Sequence, residues 1–274
     1  MQYDPIKRQL GEVFNRTPFL RKLFYRLLDL LLLRTWHIKR ELKIWAAQNP
    51  EAAVLDAGSG FGQYDYYMGR KHPDWRITAV DVKTEQIADC NQFFKKIGFD
   101  HVHFEEADLT KLNFDNQFDL VVCVDVMEHI EEDELVLKHY FNALKPGGML
   151  LISTPSDQGG SDVHSHEHEE DGVHGFIDEH VRDGYGVKDL GDKFDRAGFQ
   201  RHQIRYQYGK PGRLSWRLSM KTPILMLNTS RLFFIVLPFY YLIVFPVSLI
   251  LNKMDVTQSH KTGTGLIAKA WKAS

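Results

Sequence analysis

Val54-Leu55-Asp56-Ala57-Gly58-Ser59-Gly60-Phe61-Gly62 is an apolar run that ends in an acid and opens into a glycine-rich turn. Glycines at 58, 60 and 62 let the backbone turn tightly and let a ligand come close to it. In open α/β folds such turns bind ligands at the carboxyl edge of the sheet. Two departures from the dinucleotide fingerprint matter: the spacing is G-x-G-x-G, with Gln63 where a third fingerprint glycine would fall, and Asp56 stands directly before the turn. A carboxylate there repels a pyrophosphate and attracts a cation. The expected ligand is therefore cationic.

Outward from this turn the chain alternates β-type runs (53–56, 76–81, 102–105, 120–125 and 149–154) with helical ones (62–71, 84–97 and 132–144). That alternation predicts a doubly wound, mostly parallel sheet. A helix over 188–198, a strand over 199–208 and a last strand over 265–270 follow. Acids stand at the ends of the runs. Asp56 closes the first and Asp81 the second, Asp108 follows the third in Glu106-Ala107-Asp108-Leu109, and Asp125 closes the fourth. A carboxylate at the end of the second strand can accept hydrogen bonds from both hydroxyls of a ribose.

On these residues the chain resembles the class I S-adenosylmethionine-dependent methyltransferases. Five stretches occur in that family's order: VLDAGSGFG (54–62), the strand-end acid of ITAVDVK (77–83), EADL (106–109), VVCVDVMEHI (121–130) and LKPGGMLLIST (144–154). The resemblance covers about residues 50–155, with a looser match in the later strands. It implies an α/β, Rossmann-like, doubly wound seven-stranded sheet and S-adenosyl-L-methionine as cofactor. It also implies that Asp56, Gly58, Gly60 and Gly62 line the methionine end, that Asp81 binds the ribose, that Asp108 and Leu109 meet the adenine, and that Asp125 floors the cleft. Residues 145–148 would form the turn before the fifth strand. The family's reaction is displacement at a sulfonium methyl, so the enzyme supplies alignment and removal of the acceptor's proton. His129 is the candidate catalytic base, because imidazole titrates near neutrality. The plainer reading is that Glu128 and His129 only satisfy neighbouring polar groups.

Residues 162–180 carry His164, His166, His168, His174 and His180 among several acids. Such ligands suit a divalent metal, but the spacing in a polar stretch reads as a solvated loop and no metal is expected. In related methyltransferases the region after the fifth strand covers the acceptor, which points to His180, Arg182 and Tyr185 as acceptor contacts; a structural helix start explains them equally.

The 274 residues sum to a net charge of −2, and the charge is segregated. Residues 1–49 hold 10 basic and 4 acidic side chains, 50–200 hold 13 and 31, and 201–274 hold 11 and 1. Two basic ends flank an acidic middle, a pattern that points to a polyanionic partner. With 43% hydrophobic and 26% charged residues the chain is neither disordered nor collagen-like. Two cysteines exclude a disulfide framework. No secretory signal is read in MQYDPIKRQL, so a cytoplasmic protein is expected.

Residues 18–47 place apolar side chains at helical spacing among basic ones and predict one or two amphipathic helices. Residues 209–262 begin basic, with Lys210, Arg213, Arg217 and Lys221, and 232–252 contain no charge over 21 residues. That length reaches the ~20 residues of a membrane span. Pro238 and Pro246 are expected to interrupt the helix, and a crossing would strand residues 265–270 on the far side of the membrane from their sheet. A re-entrant or surface-lying hairpin avoids this.

The expected organisation is N-terminal helices over 1–49, a cofactor-binding catalytic domain over 50–208, an apolar membrane-contacting insertion over 209–262 and a final strand over 263–274. The expected function is methyl transfer to a lipophilic acceptor, such as a quinone precursor, a lipid headgroup or a lipid-like metabolite. The enzyme would lie peripherally or monotopically on the inner face of the cell membrane. Residues 1–49 and 209–253 would meet an anionic lipid surface. Nucleic acid is not expected, because the basic residues are interleaved with aliphatic runs. Two alternatives stay open: a soluble small-molecule methyltransferase whose insertion is an internal lid, and a non-catalytic cofactor-binding membrane anchor. Oligomeric state and the methylated atom are also open.

Overall fold

Side chains alternate between the two faces of a strand. Here Val54, Ile77, Leu120 and Leu151 pack into one core while Leu55, Val121, Leu150 and Ile152 pack into another. A sheet apolar on both faces must be covered on both. The computed structural model, which describes residues 17–159, 181–230 and 232–274, meets that demand.

Seven strands, β1 (Ala53–Ala57), β2 (Arg76–Asp81), β3 (Val102–Glu106), β4 (Phe118–Val124), β5 (Leu144–Pro155), β6 (Arg201–Gln207) and β7 (Gly265–Trp271), form one sheet in the order β3-β2-β1-β4-β5-β7-β6. The first five run parallel, and β7 lies antiparallel to both β5 and β6. Every strand read from the sequence forms. The 145–148 turn differs: it lies inside β5, where the pairing with β4 shifts register between Phe118 and Leu120.

Helices α1 (Pro18–Leu31), α2 (Leu33–Ala46), α3 (Gln63–Lys71) and α4 (Thr84–Lys96) go with the first core, which holds Tyr25, Ile38, Leu42, Tyr64, Met68 and Phe93. Helices α5 (Asp133–Ala143) and α6 (Val187–Ala197) cover the other face with Val136, Tyr140, Leu190 and Phe194. The two N-terminal helices therefore share a core with the sheet. They are separated by Leu32 alone, which is extended.

Helix α1 turns part of its apolar stripe outward. Arg21 and Tyr25 are buried, whereas Phe19, Leu23, Leu27 and Leu30 are exposed. The physical reason is a set of polar partners on the inner side. The Arg21 guanidinium donates to Asp89 Oδ2 at 2.5 Å and to the carbonyl oxygen of Phe61 at 3.0 Å, lies 4.4 Å from the Phe93 ring centroid, and is joined by the Tyr25 hydroxyl, which also donates to Phe61.

Between β6 and β7 the chain leaves the sheet and returns to it. Helix α7 (Lys210–Trp216) continues through a π-helical stretch (Arg217–Lys221) into α8 (Thr222–Thr229), and α9 (Phe233–Thr257) runs back beside them. Ser215 Oγ donates to Ser248 O at 3.3 Å, and the hydroxyls of Tyr240 and Tyr241 donate to Leu218 O and Ser219 O at 2.7 Å each. The pairing descends on one arm as it rises on the other, which defines an antiparallel hairpin. Pro238 and Pro246 do not interrupt α9; both lie inside it on its exposed side. Each only leaves the carbonyl four residues earlier without its usual donor.

Candidate functional site

Parallel strands bring the ends of β1, β2, β3 and β4 to one edge of the sheet, and the acids named from the sequence stand along it. Gly58 has φ +85°, and a Cβ on it would come within 2.3 Å of the Val126 side chain; Gly60 has φ +52° and open space where its Cβ would be. The turn thus packs on one side and is vacant on the other. Gly58 and Ser59 donate their N–H groups to Val80 O at 2.8 and 3.0 Å, which ties the turn to β2.

Asp81 holds the same turn from its carboxylate: Oδ2 accepts from Gly60 N at 3.0 Å and Oδ1 from Lys83 N at 3.1 Å. Gly62 caps the start of α3 with φ +75°. Asp108 caps the short 3₁₀ turn Leu109–Lys111, accepting from Thr110 N and Oγ1 at 2.9 and 2.7 Å and from Lys111 Nζ at 2.9 Å. Those hydrogen bonds, that of the Thr110 hydroxyl foremost, hold its carboxyl down to about 2. Leu109 beside it is buried.

Asp56 is 2% exposed and Asp65, in the first turn of α3, is 0% exposed. Among the described residues, neither Asp65 oxygen nor Asp56 Oδ2 meets a donor. The two carboxyls interact with each other, and burial, followed by that interaction, raises the proton affinity of Asp65 well above the usual range. Burial raises Asp56 as well, and a hydrogen bond from Asp65 opposes the rise. The arrangement is a carboxylic acid supporting a carboxylate below the glycine turn.

Asp125, at φ +52°, follows β4 and anchors its N–H on Ser153 O at 2.8 Å. Its carboxylate forms an ion pair with Arg34 of α2. Arg34 had no signal in the sequence: 91 residues separate the pair. Its backbone N–H donates to the Tyr208 hydroxyl at 3.0 Å, and its Nε is buried without a partner. His129 ends the 3₁₀ turn Met127–His129 directly after Asp125, half-buried. Glu128 in that turn is 1% exposed, accepts from Thr154 Oγ1 at 3.2 Å, and has its carboxyl raised by burial.

The residues suggested as acceptor contacts are engaged elsewhere. Arg182 pairs with Asp133, and the Tyr185 hydroxyl donates to Asp133 Oδ2 at 2.8 Å and lies 3.1 Å from Met127 O. Lys193 joins the same carboxylate at 3.0 Å. Tyr185 is 1% exposed, so this cluster joins α5 to α6 and presents no face to a ligand. His180 and the histidine-rich stretch lie outside the described residues. Among the described residues no group of three metal-ligating side chains comes together.

A cavity of about 100 Å3 lies between the α1–α2 junction and the foot of the hairpin, with Arg34 in its wall. Through Arg34 it adjoins Asp125 and the acidic edge.

Residues 54–148 match the family described as a methyltransferase domain. Phosphoethanolamine N-methyltransferase 1 of Arabidopsis thaliana is 36% identical over 106 residues, which are 38% of this chain and 21% of that protein. The malonyl-[acyl-carrier protein] O-methyltransferase of Priestia megaterium is 30% identical over 117 residues, 43% of this chain and 42% of that one. The chain thus spans well under half the length of these relatives. Among solved structures, Haemonchus contortus phosphoethanolamine N-methyltransferase 2 in complex with S-adenosyl-L-methionine superposes with a TM-score of 0.58 at 16% identity, over 92% of this chain and 60% of that one. A putative sarcosine dimethylglycine methyltransferase from Galdieria sulphuraria gives 0.56 at 15% identity, over 87% and 85%. At these identities the structures share the fold.

Proposed function

We propose that this chain, which carries a methyltransferase domain at residues 54–148, transfers the methyl group of S-adenosylmethionine to a small acceptor with a lipid-soluble body, at a membrane surface that the hairpin enters. The residues present fit the cofactor. Asp56 offers a buried oxygen without a donor, the space beside Gly60 is open, and Asp81 keeps lone pairs beyond the two that hold the turn. When bound, S-adenosylmethionine supplies a methyl group made electrophilic by a sulfonium. Asp56 and Asp125 place negative charge for the cationic end, Asp81 accepts from the ribose, and Asp108 and Leu109 border the adenine. An imidazole nitrogen of His129 takes the acceptor's proton.

The observation that carries the lipid part of the reading is the hairpin surface. The most apolar 18 residues of helix α9 have a mean hydropathy of 2.4, and 6% of that stretch is buried. Phe234, Ile235, Phe239, Leu242 and Ile243 are each 63% to 75% exposed, while Ser248, Asn252, Asp255 and Val256 at the foot are buried. The apolar part faces outward, which disfavours an internal lid. Its exposed apolar side chains run from Phe234 to Ile250, about 25 Å of helix at 1.5 Å per residue, somewhat short of the ~30 Å hydrocarbon core. Because β6 and β7 pair in one sheet, the chain must come back to the side it left. A hairpin reaching into one leaflet satisfies both conditions, and Arg213, Arg217 and Lys253, all exposed, suit anionic headgroups beside it. The exposed α1 stripe adds a second apolar surface.

The relatives' acceptors are not carried over, since the matched residues end before the hairpin begins. The test is flotation of the full chain with vesicles of phosphatidylcholine and phosphatidylserine, then incubation with methyl-labelled cofactor and membrane lipid extract. Labelled lipid-soluble product is expected. A protein that does not float, or label that appears only in water-soluble amines, would overturn the lipid reading.

A further inference from the structure

The cavity at the foot of the hairpin has a wall whose hydrogen-bonding groups the protein leaves unmatched. Asn252 lines it, is 2% exposed, and has no partner for Oδ1. Ser215 and Ser219, also in the wall, donate to Ser248 O and Ser215 O at 3.3 and 2.9 Å, so only their lone pairs remain. Asn252 Oδ1 is thus a buried acceptor in this wall with no donor among the described residues. A buried acceptor left unmatched is unfavourable and is ordinarily met by a ligand or water. Arg34 also lines the cavity, with a buried, unpartnered Nε and its guanidinium on Asp125 at the edge where the acids gather. Leu31, Leu32, Trp216 and Met220 contribute apolar wall.

We propose that this cavity is the subsite for the head of an amphiphilic methyl acceptor: a hydroxyl or amine that donates to Asn252 Oδ1, with an oxygen that accepts from Arg34 Nε. The body of the acceptor leaves past Trp216 and Met220 to the outer surface of the hairpin. This rests on the lipid-soluble acceptor proposed above and gives that acceptor a chemistry. A water occupies about 30 Å3 of liquid, so about 100 Å3 admits a head of a few heavy atoms and no acyl chain. A site built to hydrogen-bond an O–H or N–H rejects the analogue without it, because the buried acceptor is then left unpaired. Arg34 is here a binding residue, placed so that a head it holds lies next to Asp125.

The experiment uses the full chain, labelled with 5-fluorotryptophan, in phosphatidylcholine nanodiscs. The Trp216 fluorine resonance is assigned with Trp216→Phe. 1-Decanol is compared with decyl methyl ether at equal mole fraction in the bilayer, which removes differences in partitioning. Decanol should shift the Trp216 signal and saturate, and the ether should need at least tenfold more. Asn252→Leu should erase the difference. Met220→Trp, which fills the cavity without touching its polar wall, should remove the shift and stands in if the Asn252 variant fails to fold. Equal response to the two probes would mean that no hydrogen bond selects the head, and no response to either that the cavity holds water alone; either result would overturn the proposal. Binding of S-adenosylhomocysteine is measured in parallel. If it binds while decanol does not, the subsite fails and the methyltransferase reading stands; if decanol binds while it does not, the methyltransferase reading fails.

Discussion

The acidic edge of the sheet and the hairpin between β6 and β7 differ in how their groups are satisfied. Along the edge the carboxylates are held by polar partners near and far: Asp108 by its neighbours Thr110 and Lys111, Asp81 by Lys83 and by Gly60 of the adjoining turn, and Asp125 by Arg34, 91 residues away. On the hairpin the bonds join residues 22 and 33 positions apart, and they face inward. Its outer side meets no protein partner among the described residues. The edge is a polar structure satisfied mostly from within, with Asp56 and Asp65 as the exceptions, whereas the hairpin leaves an apolar face uncovered. Fully burying a large apolar side chain is worth about 1.5–3 kcal/mol, so covering Phe234, Ile235, Phe239, Leu242 and Ile243 would contribute about 5–10 kcal/mol. A lipid leaflet can supply that area without specific shape.

If the two regions are independent, each can be broken alone. Asp81→Ala removes two backbone hydrogen bonds to a charged acceptor and the proposed ribose contact, at about 1.5–3 kcal/mol each. Affinity for S-adenosylhomocysteine, measured by titration calorimetry, should fall more than about 100-fold, while vesicle flotation is unchanged. A loss of flotation would show that the glycine turn and the hairpin are coupled through α1 and Arg34. Ile243→Glu makes the opposite break. A charge in the hydrocarbon costs about 2.5–3.5 kcal/mol on insertion scales, so partition into vesicles should fall by about 60-fold or more, with cofactor affinity within about twofold. Ile243 is 75% exposed, so the thermal midpoint should hold. A midpoint lowered by several degrees with flotation intact would mean that this face packs on protein.

The same contrast explains what the sequence disclosed. The strands and the glycine turn were legible because alternation, turn residues and strand-end acids are local signals, and their order alone specifies a doubly wound sheet. The hairpin was legible in outline, since an uncharged run flanked by bases and enclosed by two strands of one sheet must return. Three features were not. The stripe on α1 says that the helix has two faces and not which one is buried, and the outcome depends on Asp89 and Phe61, which lie 68 and 40 residues from Arg21. The Arg34–Asp125 pair and the cavity exist only where α2, β4 and the hairpin converge. The prolines suggested an end to α9, yet each removes only one donor, and the arm alongside continues to pack. Tyr185 was misleading for a related reason: its apolar and ionisable neighbours fit an acceptor site as well as they fit the buried Asp133 cluster that it joins.

The smallest predicted effect lies within the acidic edge and asks whether that region is as finished as its hydrogen bonds suggest. Asp56 and Asp65 are buried together with no outside donor among the described residues; burial raises both carboxyls, and their mutual interaction raises Asp65 further while it opposes the rise of Asp56. A carboxyl raised by folding is protonated in the folded chain at pH values where the unfolded chain has already lost the proton. Above the unfolded value near 4 the folded state therefore binds more protons, and stability falls as pH rises toward and through the raised value. Asp65→Asn keeps a donor for Asp56 while removing one ionisation, so it should flatten that fall. A tenfold change in proton affinity is worth about 1.4 kcal/mol, and the variant should gain about 1–2 kcal/mol over the parent at pH 8 with little gain at pH 5. Thermal melts at the two pH values measure the difference. Parallel pH slopes in parent and variant would show that some other donor already supports the pair. The carboxylate beneath the glycine turn would then be held without a proton from Asp65, and the edge would be complete before any cation arrives.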